Sequence, residues 1–273
     1  MRNIAFVLAT VTAVALTSCS GNKNTQNNNS EKAIQTETTQ EQQIKLGMKA
    51  HLDSLTLAFL RLKPTSVSYN ARNGKIVLSE QQKKVRPDYL MNPDEIMNSL
   101  ESISLKYRAL AIFDIDKSIS DAYNMKDVYT EPISKLVVEL DDPAVKYLKN
   151  VEENVTYQER IDKVYHIAED NGRANYFWET AAASIIEELY IIGHNQEVFL
   201  AGFTDKDAED ITLHVSILVN AYKELAEYNT ELAKLYNVIL PLQAINAISV
   251  DQLRDQLNQI EKDVTKARKE LFL

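Results

Sequence analysis

The chain has 273 residues, 45% hydrophobic and 25% charged, with 39 acidic against 30 basic side chains and a formal charge of −9. That balance argues against DNA, RNA and anionic lipid head groups as partners, because each presents dense negative charge. One cysteine excludes internal disulfides and thiolate metal clusters, and six Gly and six Pro are too few to punctuate a strand-rich fold, so helices are favoured.

The chain opens on Met1-Arg2-Asn3 and runs from Ile4 to Leu16 in apolar and small residues, the pattern of a secretory signal too short to span a bilayer stably. It closes on Leu16-Thr17-Ser18-Cys19, which resembles the lipobox of type II signal peptides: an aliphatic residue, two small residues and the cysteine that receives diacylglycerol. The resemblance implies that residues 1–18 are a removed signal peptide and that Cys19 carries diacylglycerol and an N-acyl chain, the sole covalent group expected; no other cofactor is. Several acyl chains hold firmly, since each buried methylene contributes about 0.8 kcal/mol. Loss of Arg2 with the signal leaves 29 basic against 39 acidic side chains, a formal charge of −10.

Residues 19–40 are rich in Asn, Gln, Thr and Ser and too poor in apolar side chains to offset the entropy of ordering. They read as a lipidated flexible tether, whose reach at about 20 flexible residues is roughly 25 Å. Ser20 follows the cysteine and no acidic run comes after it. By resemblance to lipoprotein sorting, this implies the outer membrane, with the domain facing the periplasm.

Residues 41–273 read as one all-α domain, a bundle of about six to eight helices. Ile44, Met48, Leu52, Leu55, Phe59 and Leu62 recur every three or four positions and line a first helix ending before Pro64. From about 64 to 92 the pattern changes: Val67 and Tyr69, then Ile76 and Leu78, flank Asn73-Gly74, which fits either a short hairpin or an irregular crossover. Asn92-Pro93-Asp94-Glu95 marks a helix start, continued by Ile96, Leu100, Ile103, Tyr107 and Leu110. Further starts fall at Asp142-Pro143, at Thr156 with Glu159 and at Ser249 with Gln252, and Asn171-Gly172 is a stop. After Thr204 a stripe from Ile211 through Tyr222 to Ile239 predicts one long helix up to Pro241, with a possible break at Asn229-Thr230. Val250, Leu253, Leu257, Ile260, Val264, Ala267 and Leu271 line the last helix. Such seams pack within one bundle more often than between chains.

The segment Arg173–Gln196 is expected to be the central helix. Phe177, Trp178, Ala181, Ala182, Ile185, Ile186, Leu189 and Ile192 fill a broad apolar arc, and Ala181-Ala182-Ala183-Ser184 allows a close helix approach. The opposite arc carries Tyr176, Glu179, Glu187, Tyr190 and His194, which is either a solvated face or the wall of a ligand cleft. Glu188 falls inside the apolar arc, so a buried carboxylate is expected there, paired with Arg108, Arg173 or Lys163 or held at a raised pKa.

His51, His166, His194 and His214 show no metal-ligand spacing, and no nucleophile elbow, P-loop or dinucleotide glycine motif is present, so neither a metal nor a catalytic residue is assigned. Asp53-Ser54-Leu55 resembles the O-glycosylation site of Bacteroidetes envelope proteins. The Asn-rich tether, with segments such as Lys106-Tyr107-Arg108-Ala109-Leu110-Ala111 and Phe203-Thr204-Asp205-Lys206-Asp207, resembles all-helical lipoproteins of Bacteroidetes, a likeness that transfers no catalytic motif. The expected function is a membrane-anchored, non-enzymatic interaction or scaffold module with an envelope protein as partner. The alternatives are a periplasmic small-ligand or glycan binder and, third, an enzyme using Glu187 or Glu188.

Overall fold

The computed structural model describes residues 50–62, 67–149, 157–227 and 230–272, and contacts divide the chain into Met1–Leu46 and Gly47–Leu273. Cys19 with its lipobox, the tether, Ile44, Met48, Pro64, Thr156 and Asn229 lie outside the described residues. The unit Gly47–Leu273 is all-α. Its described residues form twelve α-helices and two 3-10 turns, with no strand among them.

Helix α1 covers residues 50–61, followed by α2 (Val67–Arg72), a 3-10 turn at Gln82–Lys84, α3 (Pro93–Met97), α4 (Ile103–Ala122), α5 (Thr130–Leu140) and α6 (Pro143–Lys149). Then come α7 (Tyr157–Asp170), α8 (Ala174–His194), α9 (Gln196–Phe199), α10 (Asp205–Leu225), α11 (Thr230–Ile239), a second 3-10 turn at Leu240–Ala244 and α12 (Val250–Glu270).

The count exceeds the six to eight expected because continuous apolar stripes are cut by local caps. The stripe from Pro93 to Leu110 is two helices: α3 stops at Met97, and extended Ser102 restarts the chain by accepting the Leu105 N–H on its hydroxyl at 3.2 Å. The stripe after Thr204 is likewise two helices, α10 and α11, and Pro241 falls in the 3-10 turn between α11 and α12.

The hairpin does not form. Gly74 takes φ +65° and the Lys75 N–H reaches the Asn70 carbonyl at 2.9 Å, so Asn73-Gly74 closes α2 as a left-handed helix end rather than turning a strand pair. Residues 75–92 then cross the bundle as an irregular strap, with Leu78 buried and Leu90 and Met91 packed on the core. At Asn171-Gly172 the predicted stop is present: Gly172 has φ +67° and the Arg173 N–H bonds the Ala168 carbonyl at 2.7 Å.

Helix α8 is central and packs chiefly on α4 and α12, with α10 and α7 at its sides. Ala181, Ala182 and Ala183 are buried, so no side chain bulk holds neighbouring helices away. Side-chain contacts fix the directions: Arg108–Glu179, Asp116–Glu187 and Tyr123–Asn195 set α4 parallel to α8, and Arg268–Glu187 with Asn258–Gln196 set α12 antiparallel to it. On another side, Phe59 of α1 meets Phe177, Trp178 and His214 edge-on at 5.8, 5.6 and 4.9 Å between ring centres.

Candidate functional site

The polar arc of α8 divides: Glu179 and Glu187 are buried between α4 and α12 as a seam of charged rungs, Tyr176 and Tyr190 are half-buried beside them, and His194 is exposed. At the first, Glu179 is 3% exposed and accepts the Arg108 Nε–H at 2.7 Å, while Arg108 also donates to the Leu271 carbonyl at 2.9 Å. Beside it the rings of Tyr176 and Tyr107 stack at 4.6 Å. The Tyr107 hydroxyl donates to Asp142, whose other oxygen caps α6 through the Ala144 N–H at 2.6 Å. Arg173 closes this end by donating to the Leu140 carbonyl at 2.9 Å and the Tyr107 oxygen at 3.3 Å.

Eight residues further along both α4 and α8 comes the second rung, about 12 Å away at a helical rise of about 1.5 Å per residue. Glu187 is fully buried and takes a two-pronged bond from Arg268, Nε at 2.6 Å and Nη2 at 2.7 Å. The Arg268 guanidinium lies 4.0 Å over the Tyr190 ring. Fully buried Asp116 of α4 reaches the same place. Its Oδ2 accepts the Met91 N–H of the strap at 2.8 Å, and its Oδ1 has no donor among the described residues.

Burial first, and then the Glu187 carboxylate, push the Asp116 pKa well above the usual carboxylate range. A proton kept on Asp116 turns its contact with Glu187 into a hydrogen bond and leaves one negative and one positive charge in the cluster, Glu187 and Arg268. Tyr129 ties the strap from its other side, donating to the Met91 carbonyl at 2.9 Å. Tyr89, also on the strap, lays its ring 4.8 Å from His194, and burial raises its phenol pKa.

His194 is exposed at the end of α8, with Nδ1 2.8 Å from the Tyr190 carbonyl and its ring 4.1 Å from that of Tyr190. Between it and α12 lies a shallow depression lined by Tyr190, Leu257, Glu261, Val264 and Thr265.

Glu188 is buried as its wheel position requires, at 9% exposure, but none of Arg108, Arg173 and Lys163 is its partner. Its carboxylate instead caps α2, accepting the Val67 N–H at 2.6 Å, the Ser68 N–H at 3.2 Å and the Ser68 hydroxyl at 2.6 Å. Burial raises its pKa against the pull of those donors. Neutral donors suffice here because helix N-terminal N–H groups are unpaired and carry partial positive charge.

Asp116, Arg268, Tyr89 and Tyr129 were not singled out from the sequence. Asp116 had a readable signal: it sits among buried Ile112, Ile115 and Ile119, a carboxylate on an apolar stripe. Among the described residues no group of three or more His, Cys, Asp or Glu is placed to hold a metal ion. Ser54 of the Asp53-Ser54-Leu55 triplet is exposed on α1, and Asp53 accepts the Tyr165 hydroxyl at 2.9 Å.

Fold and seam together define the class: an all-α bundle whose central helix carries buried, paired carboxylates. Compared with known proteins, the chain matches no family model, no curated protein and no solved structure.

Proposed function

We propose that this chain is an envelope lipoprotein, held by acyl chains on Cys19 at the periplasmic face of the outer membrane, whose helical domain is a non-enzymatic interaction module for another envelope protein. The supporting observation is that the buried carboxylates of α8 are already engaged: Glu179 by Arg108, Glu187 by Arg268 and Asp116, Glu188 by the start of α2. Groups so engaged stiffen a scaffold, and they weigh equally against Glu187 or Glu188 as an acid or base.

In-cell crosslinking tests the reading. A defined envelope protein is expected in the crosslinked product, with the yield falling in Cys19→Ala as the domain leaves the membrane. Metabolic labelling with an alkynyl fatty acid is expected to mark the wild type and not Cys19→Ala. Recovery of only random abundant proteins would remove the proposal.

The depression beside Tyr190 and His194 supports a second reading, small-ligand or glycan binding. Ligand there is expected to shift the His194 ring signals in NMR. A sugar panel that leaves them unmoved argues against it.

A further inference from the structure

The strap between α2 and α3 carries charge of the opposite sign to the rest of the chain. Between Asn73 and Asn92 there are four basic residues, Lys75, Lys83, Lys84 and Arg86, with Arg72 just before them at the end of α2, against two acidic residues, Glu80 and Asp88, in a chain of net charge −9. Arg72 is paired with Asp114, Lys83 with Glu80 at 2.9 Å, and Lys75 lies over the Tyr69 ring. Lys84 and Arg86 are exposed and have no ion-pair partner among the described residues.

Apolar groups accompany these cations. Val77 is 85% exposed and Val85 73%, either side of a turn in which the Ser79 N–H donates to Gln82 Oε1 at 2.8 Å and the Lys83 N–H to the Ser79 carbonyl at 3.0 Å. Exposure alternates before that turn: Lys75, Val77 and Ser79 face outward while Ile76 is half-buried and Leu78 buried. That is the period of extended chain. Among the described residues no hydrogen bond engages the backbone of Ile76, Val77 or Leu78.

We propose that this strap docks an acidic, extended polypeptide segment that adds alongside residues 76–78, its carboxylates meeting Lys84 and Arg86 and its apolar side chains meeting Val77 and Val85. The inference rests on the interaction-module reading and names the chemistry of the partner. Main-chain groups without hydrogen-bond partners, beside alternating side chains, suit strand addition, in which the backbone supplies affinity and the flanking side chains supply choice. Charge complementarity selects the acidic occupant and steers its approach. A membrane fits less well, because the strap's one aromatic side chain, Tyr89, is half-buried against His194 with its hydroxyl out of solvent, and so is not presented to seat a lipid interface.

The probe is a fluorescent peptide of alternating Glu and Val, titrated into the full chain and followed by anisotropy. Saturable binding is expected, weakening with salt and falling about tenfold or more in Lys84→Glu/Arg86→Glu, the equivalent of about 1.4 kcal/mol per tenfold. A peptide of the same charge with alternate backbone nitrogens methylated is expected not to bind. Equal affinity for wild type and the double variant overturns the proposal, and so does equal affinity for the methylated peptide. Binding of phosphatidylglycerol–phosphatidylethanolamine vesicles through Lys84 and Arg86 without peptide binding also overturns it, as does a dimer in sedimentation that the double variant loses. Photo-crosslinkers at Val77 and at Val138 of α5 separate this inference from the reading beneath it. A defined envelope protein captured only at Val138 leaves the module and removes the strap; none captured at either position removes the module.

Discussion

Arg268 reaches fully buried Glu187 with two bonds while covering the Tyr190 ring, so a single side chain neutralises a carboxylate that α8 carries into the core. A buried ion of this kind is costly once its partner is gone, more so than the pair is beneficial when intact. Arg268→Met is therefore expected to destabilise the domain by about 3–5 kcal/mol, most of it the cost of stranding Glu187. Glu187→Met/Arg268→Met removes both charges and is expected to recover a substantial part of that loss in urea denaturation. A double variant no more stable than the single one would show that packing of the Arg268 stem, and not the unpaired carboxylate, sets the cost. At this scale the sequence was half legible. Glu188 was readable as buried from its position on the α8 wheel, because a helical wheel depends only on local spacing. Its true donors, Val67 and Ser68, lie 121 and 120 residues away on a helix too short to announce itself, so charge matching pointed to the wrong partners.

The same division between local and distant information governs the elements. α8 and α12 were legible over their whole length because each keeps one uninterrupted stripe and, for α12, a cap: the Ser249 hydroxyl accepts the Gln252 N–H at 3.3 Å while Gln252 Oε1 accepts from Ile248 at 3.0 Å. α3 and α4 were merged because Ile96, Leu100, Ile103 and Tyr107 stay in phase across a gap that backbone capping opens. Ser102 makes that gap. Ser102→Ala removes the acceptor for the Leu105 N–H and is expected to cost about 1 kcal/mol, with faster amide exchange confined to the first turn of α4. Unchanged exchange at Leu105 would show that the bundle, not the cap, sets the start of α4. The turn before α5 was unmarked in the sequence for a similar reason. Asp127 builds it, accepting from the Tyr129 and Thr130 N–H groups at 2.9 and 3.0 Å and from the Thr130 hydroxyl, bonds led by Thr130 that hold its pKa down to about 2.

Across the whole molecule, a buried carboxyl and a half-buried imidazole pull stability in opposite directions as pH changes. Asp116 holds its proton more tightly folded than unfolded, because burial and Glu187 outweigh the Met91 N–H and Arg268, so its contribution is complete below about pH 4 and declines as pH rises through its raised pKa. His214, beside Phe59, has its pKa lowered by burial against the pull of the Asp210 carbonyl, so the folded state resists its protonation and loses stability as pH falls below about 6.5. Asp116→Asn is the discriminating variant. Its amide can still accept from Met91 and donate to Glu187, but it has no proton to lose, so its melting temperature is expected to fall less steeply than that of wild type as pH rises above about 4. His214→Phe is expected to flatten the acid side alone, since Asp116 lies in a different part of the core and well-separated sites add. If Asp116→Asn tracks the wild-type profile as pH rises above about 4, Asp116 is ionised in the folded bundle, and two carboxylates then share Arg268 without a proton between them.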